Sequence, residues 1–150
     1  MQVLVTGGAG FIGSHVCEQL LKRGDQVILV DELNDFYSPS IKKENLADIK
    51  KHGNYKFYQV DICNKEQLKE IFIKEKPDSV IHLAARAGVR PSLSQPILYE
   101  QVNVIGTIHL LELCRQMPVS NFVFASSSSV YGINSKLPFS ETDPINQPIS

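Results

Sequence analysis

Two stretches of the chain carry residue types whose spacing could do chemistry. "VLVTGGAGFIGSHVCEQLLKRG" sets Gly7, Gly10 and Gly13 three apart, where an apolar run gives way to an amphipathic one. In that context Gly7 allows a sharp turn, Gly10 lets backbone approach a pyrophosphate, and Gly13 lets a helix pack closely on a strand. The helix N-terminus then offers free N–H groups to the phosphates. The alternative is a plain strand–turn–helix, since glycines fill turns for many reasons. The second stretch, "FASSSSVYG" at 124–132, leaves an apolar run for four serines. A hydroxyl at a strand end can steady an oxygen whose proton is leaving. A Ser-rich run can also be a flexible linker.

Charged residues cluster at the ends of the apolar runs. Asp31 closes "QVILVD", 18 residues after Gly13. An acidic side chain there accepts hydrogen bonds from both adenosine ribose hydroxyls and repels a 2′-phosphate, which favours NAD over NADP. Glu32 beside it competes for the role, and the alternative is an acidic loop residue at a strand end. Asp61 closes a third run in "VDI", where it suits the edge of an adenine ring or merely ends a strand. Arg86 and Arg90 in "AARAGVR" could pair with a carboxylate or a phosphate, or stay solvated. Lys42 and Lys43 could reach a cofactor phosphate or ribose, or lie on a helix surface. His82 sits within an apolar run and reads as a satisfied interior imidazole. Asn103 is either a polar contact behind the site or an exposed position.

The elements that must position these residues alternate in type. Residues 2–6, 26–31, 55–62, 79–85 and 121–127 read as strands. Residues 11–23, about 40–51, 64–75 and 96–117 read as helices, with Ser40 the N-cap of the second. In 96–117 an inward stripe of Leu98, Val102, Ile105, Ile108 and Leu111 is expected. Strand and helix in alternation imply right-handed crossovers and a parallel sheet covered on both faces: a doubly wound α/β, Rossmann-type fold.

Composition agrees with a globular chain. It has 150 residues, of which 43% are hydrophobic and 21% charged, enough apolar material for a core. A net charge of −1 leaves no footprint for nucleic acid or an anionic membrane. The start, "MQVLVTGG", does not read as a signal peptide, and no run has the length of a membrane span. Cys17, Cys63 and Cys114 lack metal-ligand spacing, so no metal is expected; they read as buried free thiols in a reducing cytoplasm. From Gly132 on, "GINSKLPFSETDPINQPIS" holds three prolines and no periodicity, an unusual finish for a compact domain. Residues 1–150 are therefore expected to be the front part of a longer protein.

"TGGAGFIG", "VDI", "HLAA", "VNVIGT" and "SSSSVYG" occur in the order and spacing of extended short-chain dehydrogenase/reductases. "FYSPSIKKENL" and "ARAGVRPSLSQPILYEQVNVIGT" most resemble the UDP-glucuronate 4-epimerase branch, with UDP-glucose 4-epimerases close behind. The resemblance runs through the whole chain. It implies a tightly held NAD that takes hydride from a sugar C4 and returns it to the other face of a 4-keto sugar. It implies a cofactor cleft bordered by Phe11 and Ile12 beside the glycines, Asn34 and Lys43 beyond Asp31, Ile62 beside Asp61, and Leu83, Ala84 and Ala85 of "HLAA". The family's catalytic Ser/Thr aligns with Ser127, which would hydrogen-bond the sugar O4. Ser126 and Ser128 would line the substrate side with Arg86 and Arg90. The family's 4,6-dehydratases place Asp-Glu after the catalytic Thr; Ser128-Ser129 here disfavours dehydration.

The family's base is a Tyr paired with a Lys four residues on, because a free phenol titrates near 10 and needs tuning. None of Tyr37, Tyr55, Tyr58, Tyr99 and Tyr131 has that Lys. In relatives the pair follows a segment like "PINQPIS". The 150 residues alone are thus expected to be inactive, and a non-catalytic NAD-binding module is the competing reading. The resemblance further implies a homodimer of the full-length protein, built on two long helices, one of them 96–117.

Overall fold

Side-chain parity along the strands builds a core on each face of one sheet. In the computed structural model, which describes residues 1–133 and 137–146, the strands are β1 (Gln2–Thr6), β2 (Gln26–Val30), β3 (Tyr55–Tyr58), β4 (Ser79–His82) and β5 (Asn121–Phe124). All pair in parallel, in the order β3-β2-β1-β4-β5. Successive side chains point to opposite faces. Leu4, Ile28, Val30 and Val80 therefore meet α3 (Lys65–Glu75) and α6 (Thr107–Gln116), packing on Leu68, Phe72, Leu110 and Leu113. Val3, Val5, Val27 and Leu29 meet α1 (Phe11–Lys22) and α2 (Pro39–Lys50), on Cys17, Leu20 and Ile49. Each such fully buried aliphatic or Phe side chain contributes about 1.5–3 kcal/mol. The expected doubly wound α/β fold is present.

The strands stop earlier than their apolar runs. Thr6 is level with Val30 and His82, Val30 with Tyr58, and His82 with Phe124. All four ladders end on one line, level with the end of β1, in the middle, at Thr6. Residues 59–62, 83–85 and 125–127, expected as strand, leave the sheet there. β1 and β4 lie side by side with helices on opposite faces, so a crevice opens between their ends.

Three local expectations are corrected. Ser38, not Ser40, is the N-cap of α2, and Pro39 takes the first helical position, which its fixed φ suits. Of the cysteines only Cys17 is buried; Cys63 and Cys114 are half-buried, and all three are free. The segment expected as one helix over 96–117 contains α5 (Pro96–Tyr99), a π-helical stretch Glu100–Gly106, and α6. A π turn takes more residues than an α turn. The inward face therefore runs Leu98, Val102, Gly106, Leu110, Leu113, whereas Ile105, Ile108 and Leu111 are 40%, 46% and 46% exposed. Gly106 lets the turn close on Ile62, whose Cδ1 lies 2.7 Å from where a Cβ would stand. A six-residue helix α4 (Val89–Ser94) precedes α5, and a 3₁₀ turn Ser128–Tyr131 follows β5. Residues 134–136 and 147–150, among them the end of "PINQPIS", lie outside the described residues.

His82 ties the sheet to the π stretch. Its Nδ1 lies 2.6 Å from Thr6 Oγ1 and its Nε2 2.9 Å from Thr107 Oγ1. Thr107 donates onward to the Asn103 carbonyl, so it must accept from Nε2–H, and Nδ1 accepts from Thr6. Burial pushes the imidazole down from 6.5 to about 4, so the neutral ring persists. The unfolded chain binds this proton first as pH falls. The stabilisation is thus complete above pH 6.5 and is lost as pH drops towards 4, by about 3 kcal/mol in total. Urea unfolding should show stability falling between pH 6.5 and 4.5, with a shallower fall in His82→Asn; equal slopes would contradict the assignment.

Candidate functional site

The glycine turn is held by close contacts that side chains would forbid. Gly7 has φ +69°, and a Cβ on it would stand 2.7 Å from the Ala84 nitrogen. A Cβ on Gly13 would stand 2.1 Å from the Gly7 carbonyl oxygen. Gly8, which the three-residue spacing does not mark, has the Leu29 side chain 2.4 Å from the equivalent point. The first α-helical bond of α1 is Ser14 N–H to the Gly10 carbonyl, 2.9 Å. The amides of Phe11, Ile12 and Gly13 are left without intrahelical acceptors, at the positive end of the helix dipole. The Phe11 and Ile12 side chains turn outward, 74% and 64% exposed.

Opposite this turn, Asp31 is a buried junction. Its Oδ2 accepts from Ala9 N–H at 3.2 Å; its Oδ1 accepts from Leu33 N–H at 2.8 Å and from Lys42 Nζ at 3.1 Å. Leu33 adopts φ +57°, a left-handed conformation that its bond to Asp31 helps impose. Lys42 also donates to Asn34 Oδ1 at 3.3 Å and lies beneath the Tyr37 ring, 5.4 Å from its centroid. A carboxylate has about four lone-pair sites, so Oδ2 keeps acceptor capacity, and Asp31 lines the cleft.

A cleft of about 300 Å³ runs along the sheet edge. Gly7, Gly10, Phe11, Ile12 and Gly13 line one wall, and Asp31 and Asn34 one end. Asp61 and Ile62, then Leu83, Ala84 and Ala85, complete the expected set. Asp61 Oδ1 accepts from Cys63 N–H at 2.9 Å, which holds the turn after β3. Lys43 is the exception. It is exposed on the outer face of α2, and Lys42, one position back, lines the cleft, because successive helical residues point about 100° apart. Sequence reasoning had also passed over Phe36, Tyr37 and Ala87, which line the cleft. Only a loop placed by Asp31 brings the two aromatics there.

The substrate-side residues are less gathered. Ala125 reaches the cleft wall, whereas Ser126, Ser127 and Ser128 are exposed on its rim. Ser127 starts the 3₁₀ turn, and its Oγ accepts from Ser129 N–H at 3.2 Å. Arg86 is half-buried with its guanidinium 5.9 Å from the Phe36 ring, and Arg90 is exposed on α4. Asn103 clamps the Arg86 backbone from both sides: its Oδ1 accepts from Arg86 N–H at 2.7 Å and its Nδ2 donates to the Arg86 carbonyl at 2.9 Å. The structural reading of Asn103 holds.

Among the described residues two buried side-chain polar atoms lack a hydrogen-bond partner: Tyr37 Oη and Arg86 Nε. Both belong to loops that flank the glycine turn. Orphaned polar groups, free helix amides and open acceptor capacity on Asp31 together fit a dinucleotide with its diphosphate over Gly10 and a ribose at Asp31.

Comparisons with known proteins agree with this geometry. The family model described as GDP-mannose 4,6 dehydratase matches residues 4–150. A UDP-glucuronate 4-epimerase of Thermodesulfobacterium geofontis is 50% identical over 147 residues, 98% of this chain and 45% of that protein. Among solved structures, the Thermus thermophilus UDP-glucose 4-epimerase in complex with NAD aligns with TM-score 0.83 at 40% identity, covering 96% of this chain and 44% of that one. The Bifidobacterium longum UDP-glucose 4-epimerase in complex with NAD+ and UDP aligns with TM-score 0.86 at 34% identity, covering 96% and 42%. The chain thus spans less than half the length of these relatives.

The Asp31–Lys42 pair has a measurable signature. Lys42→Met leaves a buried carboxylate without its cation and should cost about 3 kcal/mol in urea unfolding. Asp31→Asn combined with Lys42→Met should recover a large part of that loss. A double variant as unstable as the additive sum would rule out coupling of the pair.

Proposed function

The chain belongs to the family described by the GDP-mannose 4,6 dehydratase model, within the extended short-chain dehydrogenase/reductases, and we propose that it is the NAD-binding part of a nucleotide-sugar 4-epimerase acting on UDP-glucuronate. The observation that carries the reading is the cleft at the sheet edge, with the Gly7–Gly13 turn on one wall and Asp31 at its end. NAD bound there supplies a hydride acceptor and donor for the sugar C4. Phe11, Ile12 and Gly13 amides face the diphosphate, Asp31 takes a ribose hydroxyl, and the Leu83–Ala85 loop borders the nicotinamide half. Ser127, on the rim beyond Ala125, hydrogen-bonds the sugar O4 as its proton leaves. A Tyr-x-x-x-Lys pair to take that proton belongs to sequence that follows Ser150 in the parent protein.

Epimerisation rather than dehydration is supported by Ser128-Ser129, which offer no carboxylate beside Ser127 to eliminate water. The glucuronate reading is supported by the 50% identity to a UDP-glucuronate 4-epimerase. A second reading, UDP-glucose 4-epimerase, is favoured by the solved neighbours at 34–40% identity. The parent protein is proposed to be a homodimer, supported by the stripe of Val104, Ile105, Ile108 and Leu111 that the π turn sets outward.

The purified chain should bind NAD+ by calorimetry and prefer it to NADP+; no affinity for either would sink the dinucleotide reading. A full-length protein should interconvert UDP-glucuronate and its 4-epimer, and turnover of neutral UDP-glucose alone would assign the second reading instead. Ser127→Ala in that protein should lower kcat about 100-fold with NAD content unchanged.

A further inference from the structure

We infer that Tyr37 is a direct ligand of the dinucleotide, its phenol O–H donating to a diphosphate oxygen in the cleft that Tyr37 and the Gly10–Phe11 turn line together. The inference rests on the dinucleotide reading and adds a residue that neither the glycine spacing nor the acidic strand end points to.

Four observations converge on it. The phenol oxygen is buried and lacks a well-formed hydrogen bond, although the Phe11 amide lies near it, and a buried hydroxyl left so is costly. It hangs over the glycine turn, 3.3 Å from the point where a Cβ on Gly10 would stand. The hydroxyl and the first turn of α1 therefore abut, and both border the cleft. The ring is anchored from below by Lys42, 5.4 Å from its centroid, and Lys42 is fixed in turn by Asp31 and Asn34. The hydroxyl also keeps its proton: burial and the nearby Asp31 carboxylate raise the phenol pKa, outweighing the opposing Phe11 amide. A phosphate oxygen is an acceptor, the α1 amides approach it from one side, and a neutral phenol is the donor that completes it from the other. Lys42 adds positive charge beneath the ring while its own ammonium stays with Asp31, so the anion is met by Tyr37 and not by the lysine.

Tyr37→Phe separates this role from packing, because it keeps the ring and deletes only the unpartnered oxygen. Unfolding in urea without ligand should leave the midpoint unchanged or raised, since an orphaned polar group is removed. Calorimetry should show NAD+ and ADP binding weakened on the order of tenfold, as expected for one hydrogen bond to a charged acceptor. Adenosine, measured as a competitor of a fluorescent NAD analogue, should bind within about twofold of the parent chain, a change under 0.5 kcal/mol. If the parent chain binds no NAD+, the dinucleotide reading itself fails. If it binds and Tyr37→Phe binds NAD+ equally well or more tightly, only the Tyr37 assignment is overturned. An equal loss for adenosine and ADP would also overturn it, placing the effect on the adenosine half.

Discussion

A buried carboxylate is costly unless every lone pair near it is answered, and at Asp31 the answers come from three separate stretches of chain. Ala9 N–H comes from the glycine turn, Leu33 N–H from the loop after β2, and the Lys42 ammonium from α2. Meeting that demand shapes the whole adenosine end of the cleft. It bends Leu33 into a left-handed conformation, draws the first turn of α2 against the sheet edge, lays Tyr37 over Gly10 and brings Phe36 to the cleft. The carboxylate that would read a ribose therefore also assembles the surfaces that would read the rest of the nucleotide.

The other end of the cleft is positioned by neutral groups. Ala84 N–H bonds Thr6, Thr6 bonds His82, His82 bonds Thr107, and Thr107 returns to the Asn103 carbonyl in the π stretch. Asn103 then holds the Arg86 backbone like a short piece of strand pairing. The loop 83–86 is fixed without a charge, and the extra residue of the π turn aims Asn103 at it. The same turn rotates the apolar stripe of the helix, so one irregularity serves the cleft on one side and exposes Ile105, Ile108 and Leu111 on the other. π turns recur at functional sites for this reason: they re-aim side chains that a regular helix would send elsewhere.

The two ends fit a division of labour. Residues that would grip a dinucleotide are gathered around one cleft, while the serines that would handle a sugar stand exposed on the rim. A sugar pocket needs walls on its outer side.

Much of the design was legible in the residues themselves. Alternation of apolar runs with amphipathic ones requires a parallel sheet between helix layers, and the glycine spacing with Asp31 marked the cleft, because local sterics and side-chain periodicity act within a few residues. The ends of the strands were not legible. Residues 59–62 and 83–85 read as strand, but their ladders end where β2 stops at Val30 and where β1 turns at Gly7. Nor was the choice of Lys42 over Lys43, the place of Tyr37 over Gly10, or the inward face of 96–117. Each depends on where a neighbouring element ends or how tightly it packs, and distances of that kind are set only when the sheet and its helices close together.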